Sequence, residues 1–242
     1  MKTKAVPGRI VVAVAVLCSL ALSSPSAGKN KTVESWNARI QETVQLLRAG
    51  NVTQAREKID PVLAEMMEGI DPGKQAGHAF ALALTLRALA EAGAGDHRSA
   101  TWDWQVAQQL DPSIESWDLS EFGAAGQVLA QHRLSVDPAP ATPTKLELEG
   151  KGGKGPQVLS RVGQPAYLQN ARRRKWTGAI QVAVVVDTQG RPTYPRVIQG
   201  THEVAMILST FEFVRGHTFT PAMSEGQPVA AAWALSMKFA RD

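Results

Sequence analysis

The sequence predicts an α+β protein, with an all-α N-terminal domain followed by a small C-terminal domain whose elements run in the order α-β-β-α-β. Two periodicities carry this prediction. In the first half, apolar residues such as Trp36, Ile40 and Val44 recur at helical spacing. In the second half, apolar residues such as Ile180 and Val182 recur at every second position, which is the spacing of a half-buried strand.

The first 27 residues have the layout of a secretory signal peptide. Lys2, Lys4 and Arg9 precede an uncharged apolar run over residues 10–22, and small residues follow. The run is shorter than the ~20 apolar residues that span a bilayer. We therefore expect a periplasmic protein, with an uncleaved inner-membrane anchor as the alternative. Cys18 is the only cysteine and lies in this run, so no internal disulfide is expected.

Residues 32–135 are predicted to form a helical domain. Breaks fall at Gly50-Asn51, Asp71-Pro72-Gly73, Gly95-Asp96 and Asp111-Pro112. Pro61 predicts a kink or an early end of the second helix. A final helix is expected from Ser116 to Leu134.

The second pair of these helices resembles a tetratricopeptide repeat. Ala100, Trp104, Ala107 and Pro112 stand where such a repeat has a small residue, an aromatic and a terminating proline. The two helical hairpins are offset by 45 residues, which is longer than the usual 34. A generic helical bundle is the alternative. This domain is expected to bind a protein partner that the sequence does not identify.

Residues 136–157 are predicted to be a domain linker, since proline stiffens the first half and glycine loosens the second. Its reach is at most about 70 Å. Glu147 and Glu149 are expected to face solvent on a short extended piece of it.

The C-terminal domain is predicted over residues 158–242. A short helix over 165–175 precedes a strand ending at Val186, a turn closed by Gly190, and a second strand over 193–198. Pro192 and Pro195 should place that second strand at a sheet edge, because proline cannot donate to a ladder.

A helix and a last strand complete this domain. Thr201 is expected to cap the helix, and Gly216 to end it. In the strand, bulky Trp233 and Leu235 alternate with small side chains up to Phe239. If it lies at an edge, its backbone can accept another chain.

These C-terminal residues resemble the C-terminal domain of the TonB family of periplasmic energy transducers. The resemblance rests on Gln164-Pro165-Ala166-Tyr167, Ala171-Arg172-Arg173, Gly178, Val182 to Asp187, Gly190, Phe219-Thr220-Pro221-Ala222, Gly226-Gln227-Pro228-Val229 and Phe239. It implies a three-stranded antiparallel sheet whose last strand pairs with the TonB box, a short segment of an outer-membrane transporter. Carried over by position, it implies a partner-binding set of Gln164, Tyr167, Val229, Ala230, Ala232, Trp233, Ala234, Ser236 and Lys238.

Two features depart from the family. Its members keep a Ser and a His in an N-terminal membrane helix that engages a proton motor, whereas residues 10–22 contain Ser19 but no His. They also carry a long proline-rich rod, in place of which this chain has the helical module.

Other chemistry is not indicated. The run Arg172-Arg173-Arg174-Lys175 is interpreted as a solvated basic face, with cell wall or an acidic transporter surface as an alternative partner. Nucleic acid is not expected for an exported protein. No catalytic motif, cofactor motif or metal-ligand spacing is present, and Trp104 fits a packing position, with Trp102 half-buried.

The sequence thus predicts a non-enzymatic periplasmic protein that docks onto an outer-membrane transporter by strand addition and contributes to TonB-type energy coupling. A non-transducing envelope scaffold and a peptidoglycan-binding module are the alternatives. A homodimer through edge strands is a further possibility for the same surface.

Overall fold

The computed structural model describes residues 27–69, 76–131, 144–160, 163, 165–200 and 203–240. The predicted signal peptide with Cys18, the predicted binding residue Gln164, and the predicted helix cap Thr201 lie outside this described part of the chain.

Four consecutive helices form most of the first half, as predicted. They are α1 (Ala27–Arg48), α2 (Val52–Gly69), α3 (Ala76–Gly93) and α4 (His97–Leu110). Gly50 and Gly95 follow α1 and α3 with φ of 76° and 82°, a conformation that favours glycine at a helix end. The α3 helix is buried along almost its entire length, because α1, α2, α4 and a later helix over Gly123–Gln131 all pack against it.

Two predictions about this half are wrong. The early end predicted at Pro61 is wrong, because α2 runs through it to Gly69 and Val62, Leu63 and Met66 continue the buried stripe, while the alternative of a kink stays a prediction. The single helix predicted over 116–134 is instead two short 3₁₀ turns, Pro112–Ser116 and Ser120–Phe122, followed by α5 (Gly123–Gln131). Gly123 has a φ of 56°, which breaks a continuous helix there.

The described part of the predicted linker contains α6 (Lys145–Gly150), and strand β1 (Gln157–Ser160) begins at the last linker residue. The prediction of an extended piece at Glu147 is wrong, because a helix that starts with a capping box forms there. In this capping box, Thr144 Oγ1 accepts from the Glu147 amide at 3.3 Å, and Glu147 Oε2 accepts from the Thr144 amide at 2.7 Å. Glu147 and Glu149 do face solvent, while Leu148 is buried against Ala222 and Ala231.

The remaining elements form an α+β domain, as predicted. They are α7 (Gln169–Arg173), β2 (Gly178–Val186), β3 (Pro192–Gln199), α8 (Val204–Arg215), β4 (Thr218–Thr220), β5 (Ala222–Ser224), β6 (Gln227–Val229) and β7 (Ala231–Phe239). The α7 helix begins four residues after Pro165, so the helix predicted from that proline is shorter than expected.

The main sheet is antiparallel with the strand order β3-β2-β7. The proline-bearing strand is therefore at an edge, as predicted, and β7 is at the other edge. Two-stranded ladders join β1 to β4 and β5 to β6.

The two halves share one hydrophobic core. Most buried apolar side chains form one cluster that extends from Trp36 in α1 to Phe239 in β7. Where the halves meet, Trp102 of α4 and Phe211 of α8 pack edge to face with their ring centroids 6.3 Å apart. Trp102 is only 4% exposed, so the prediction that it is half-buried is wrong.

Candidate strand-docking edge

The β7 strand has large side chains on one face and small ones on the other, which is the pattern of a strand that packs one face on a core. Trp233, Leu235 and Met237 pack against the core, whereas Ala234 and Ser236 on the other face are exposed. All nine residues pair with β2 in unbroken register, from Ala231 with Val186 to Phe239 with Gly178. Because an edge strand is paired on one side only, the N–H and C=O groups of every second residue point away from the sheet.

The C-terminal end of β7 is fixed by an aromatic cluster. The Phe239 ring lies 5.9 Å from the Tyr167 ring and 5.7 Å from the Trp176 ring, centroid to centroid. Tyr167 Oη also donates to the Trp176 carbonyl. A β-carbon on Gly178 would lie 2.8 Å from the Trp176 ring, so a larger residue there would force the ring to shift. Tyr167 is thus placed beside the end of the edge strand.

The N-terminal end of β7 is partly covered by the chain itself. Thr144, just before α6, forms an isolated parallel bridge with Ala232. From Trp233 to Phe239, no other described strand pairs with the outer side of β7. Among the described residues, the unpaired length of this edge is therefore seven residues.

Two of the predicted binding residues do not belong to this edge. Val229 lies in β6 and pairs with Ala222, and Ala230 separates β6 from β7. Their assignment to the edge strand is wrong, because the hairpin of β5 and β6 takes up the first residues of the predicted strand.

The opposite edge of the sheet is covered by the helical module. Gln109 of α4 donates through Nε2 to the Pro195 carbonyl, and its Oε1 accepts from the Val197 amide at 3.3 Å. This side chain occupies two backbone groups of β3, as a neighbouring strand would. Pro195 itself has no amide hydrogen to offer.

The geometry agrees with a comparison against protein families. Residues 163–240 match the model of the family described as Gram-negative bacterial TonB protein C-terminal. Residues 163–240 form a TonB C-terminal domain. This confirms the resemblance predicted from the sequence and supports the function of a TonB-like envelope protein. Among curated proteins, none matches this sequence. For the preceding module, helical content is the part of the tetratricopeptide-like prediction that the structure bears out.

The predicted basic patch of the TonB C-terminal domain is partly engaged in internal contacts. The Arg172 guanidinium lies 5.0 Å from the Tyr167 ring centroid, and Arg174 donates to both carboxylate oxygens of Glu203 at 2.7 Å. Arg173 and Lys175 are exposed. The patch therefore presents fewer available cations than its sequence suggests.

Neither a membrane-spanning helix nor a metal-binding cluster occurs among the described residues. Within them, every helix is too short or too polar to span a bilayer. The same residues hold no group of three or more His, Cys, Asp or Glu side chains arranged to hold a metal ion.

Sequence reasoning missed Gln109 and Thr144, which shape the two edges of the TonB C-terminal domain. Gln109 is one of several glutamines on α4, and only its position one residue before Leu110 at the helix end hints at a contact beyond the helix. Thr144 had a local signal, because Thr144 followed three residues later by Glu147 is a capping-box pattern.

Proposed function

We propose that this protein is a periplasmic TonB-like protein that docks by strand addition at β7 onto an outer-membrane transporter, or onto another envelope partner. The supporting observation is the asymmetry of the sheet. One edge offers seven residues of backbone to a visitor, whereas the other carries proline and the Gln109 side chain.

The exposed face of β7 suits this role. Ala234 and Ser236 are small, so a visiting backbone can approach without displacing large side chains. Each backbone hydrogen bond contributes about 0.5–1.5 kcal/mol net. A visitor pairing along seven residues would therefore gain affinity mainly from its backbone, with limited selection for its side chains.

Through this docking, the protein would contribute to TonB-type energy coupling. The helical module stands in place of the long proline-rich rod of the family, and its packing against α8 would transmit force between the module and the docking edge. Whether the N-terminal segment tethers the protein to the inner membrane is a separate part of the hypothesis, since that segment lies outside the described residues.

The test is binding of a TonB-box peptide to the exported chain, followed by backbone amide NMR. We expect the amides of β7 to shift and those of β3 to stay in place. Ala234→Lys puts a long charged side chain on the docking edge and should weaken binding at least about tenfold, or about 1.4 kcal/mol.

The matched control is Ala183→Lys. Ala183 is the cross-strand neighbour of Ala234, one strand further in on the same face of the sheet. It should weaken binding much less, because a visitor at the edge does not contact it. Equal loss in both variants, or shifts confined to β3, would contradict docking at β7. Pelleting with peptidoglycan in the absence of peptide binding would support the cell-wall alternative instead.

A further inference from the structure

A group of charged side chains joins the two halves of the molecule. Arg215 of α8 donates to Asp103 Oδ1 of α4 at 3.0 Å and to Glu91 Oε1 of α3 at 3.2 Å. Arg87 of α3 donates to Asp103 Oδ1 at 2.8 Å and to Glu212 Oε1 of α8 at 2.7 Å. Each arginine thus bridges the helical module and the TonB C-terminal domain.

The two acids of the helical module are deeply buried. The side chains of Glu91 and Asp103 are each only 1% exposed. Among the described residues, Glu91 Oε2 is a buried oxygen without a hydrogen-bond partner. An ionised carboxylate with one unsatisfied buried oxygen is costly, and binding a proton lowers that cost because it removes the buried charge.

The charged side chains around Glu91 come from α2, α3, α4 and α8. They are Arg56 of α2, with its Nη2 3.6 Å from Glu91 Oε1, Arg87 of its own helix, Asp103 of α4, and Arg215 and Glu212 of α8. Asp103 makes the strongest use of the two central arginines, since both of them donate to it. Arg87 and Arg215 therefore neutralise Asp103 more fully than they neutralise Glu91.

We propose that this group is a proton-dependent clasp, in which Glu91 holds a proton on Oε2 while the two halves are docked and releases it to water when they separate. Here the clasp means Arg87, Glu91, Asp103, Glu212 and Arg215. The inference goes beyond strand docking and does not depend on it.

The electrostatic balance at Glu91 agrees with the geometry. Burial, with the nearby charge of Asp103, raises the pKa of Glu91 from 4.5 to about 8 against the opposing effect of Arg215 and Arg87. When the halves separate, water reaches the carboxyl and its pKa returns toward the ordinary value. Between these two pKa values the docked form binds more protons than the separated form, so docking is strongest below the window and weakens as pH rises through it.

Separation would change which surfaces of the TonB C-terminal domain are open. Docking holds Gln109 on the backbone of β3 and Trp102 on Phe211. Loss of the clasp would expose that second sheet edge and the side of Phe211 that contacts Trp102. A rise in pH is therefore expected to convert a molecule with one open edge into one with two.

The experiment is hydrogen exchange of α8 and β3 amides between pH 6 and 8, corrected for intrinsic exchange rates, on the whole exported chain. If one proton is released on opening, the opening constant of these elements should rise toward tenfold per pH unit inside the window. Glu91→Gln keeps the shape of the protonated side chain and should flatten this dependence while leaving α8 protected at pH 8.

Glu65→Gln is the matched control. Glu65 is also on the helical module, but it pairs with Arg39 at the surface at 2.8 Å, and that hydrogen bond lowers the pKa of Glu65. The substitution should leave the dependence between pH 6 and 8 unchanged. A pH-independent opening constant in the wild-type protein would overturn the proposal, as would a dependence in Glu91→Gln equal to that of the wild type. The wild-type measurement tests the proposal even if Glu91→Gln folds poorly.

Discussion

Gly190 ties the turn between β2 and β3 to a different ladder. Its carbonyl accepts the Phe219 amide at 2.9 Å, and its φ is 76°. A β-carbon there would lie 1.9 Å from the Phe219 carbonyl oxygen. Two independent constraints, handedness of the backbone and space, thus require glycine at this one position.

A comparison of two glycines separates these constraints. Gly226 in the turn between β5 and β6 has a φ of 78°, and no atom lies within 4 Å of the place that a β-carbon would take. We expect Gly226→Ala to cost about 1–2 kcal/mol of unfolding free energy, from backbone strain alone. Gly190→Ala adds a backbone clash of about 1–3 kcal/mol. Urea unfolding of both variants measures the difference, and equal costs would contradict the close approach of Phe219.

At the scale of elements, the sequence predicted what depends on local pattern. The size alternation of Trp233 and Leu235 predicted β7, and Pro195 predicted that β3 lies at an edge. Both follow from properties of single residues or of neighbours along the strand. The helical spacing of the first half succeeded for the same reason.

The missed features depend on contacts between residues distant in sequence. Pro61 lies inside α2 because packing on α3 outweighs a local helix-breaking preference. The bridge of Thr144 to Ala232 and the contact of Gln109 with β3 each join positions about 90 residues apart. The charged clasp likewise forms only when α3, α4 and α8 come together, and the periodicity of the sequence does not predict which helices pack against each other.

The cover on β3 can be tested at Gln109. Gln109→Leu keeps the volume but removes both hydrogen bonds to the strand. Each such bond contributes about 0.5–1.5 kcal/mol, so exchange of the Val197 amide should accelerate by up to about tenfold.

Gln45→Leu is the control for this substitution, because Gln45 is an exposed glutamine on α1, far along the chain from the sheet. It should leave Val197 exchange unchanged. If Gln109→Leu also left it unchanged, the Gln109 side chain would not be what protects the β3 edge.

At the scale of the whole molecule, α3 explains why the two halves behave as one body. It is buried along almost its entire length, and it contributes Arg87 and Glu91 to the contact with α8. The apolar cluster that begins in α1 continues without a break into the sheet. A domain boundary that cuts a shared core leaves both sides short of buried apolar surface.

Cooperative unfolding at pH 6, where the clasp is closed, measures this coupling. Ile40 in α1 and Ile180 in β2 are both buried in the cluster, one in each half of the molecule, and either change to alanine should cost about 2–5 kcal/mol. In one cooperative body, each variant shifts the same single transition, whether helix content or tryptophan fluorescence is followed. If Ile40→Ala moved only a helical transition and Ile180→Ala only a second one, the halves would fold independently. At pH 9, where Glu91 is ionised in both states, the two transitions should begin to separate in the wild-type protein as well, because the clasp no longer adds to the shared core.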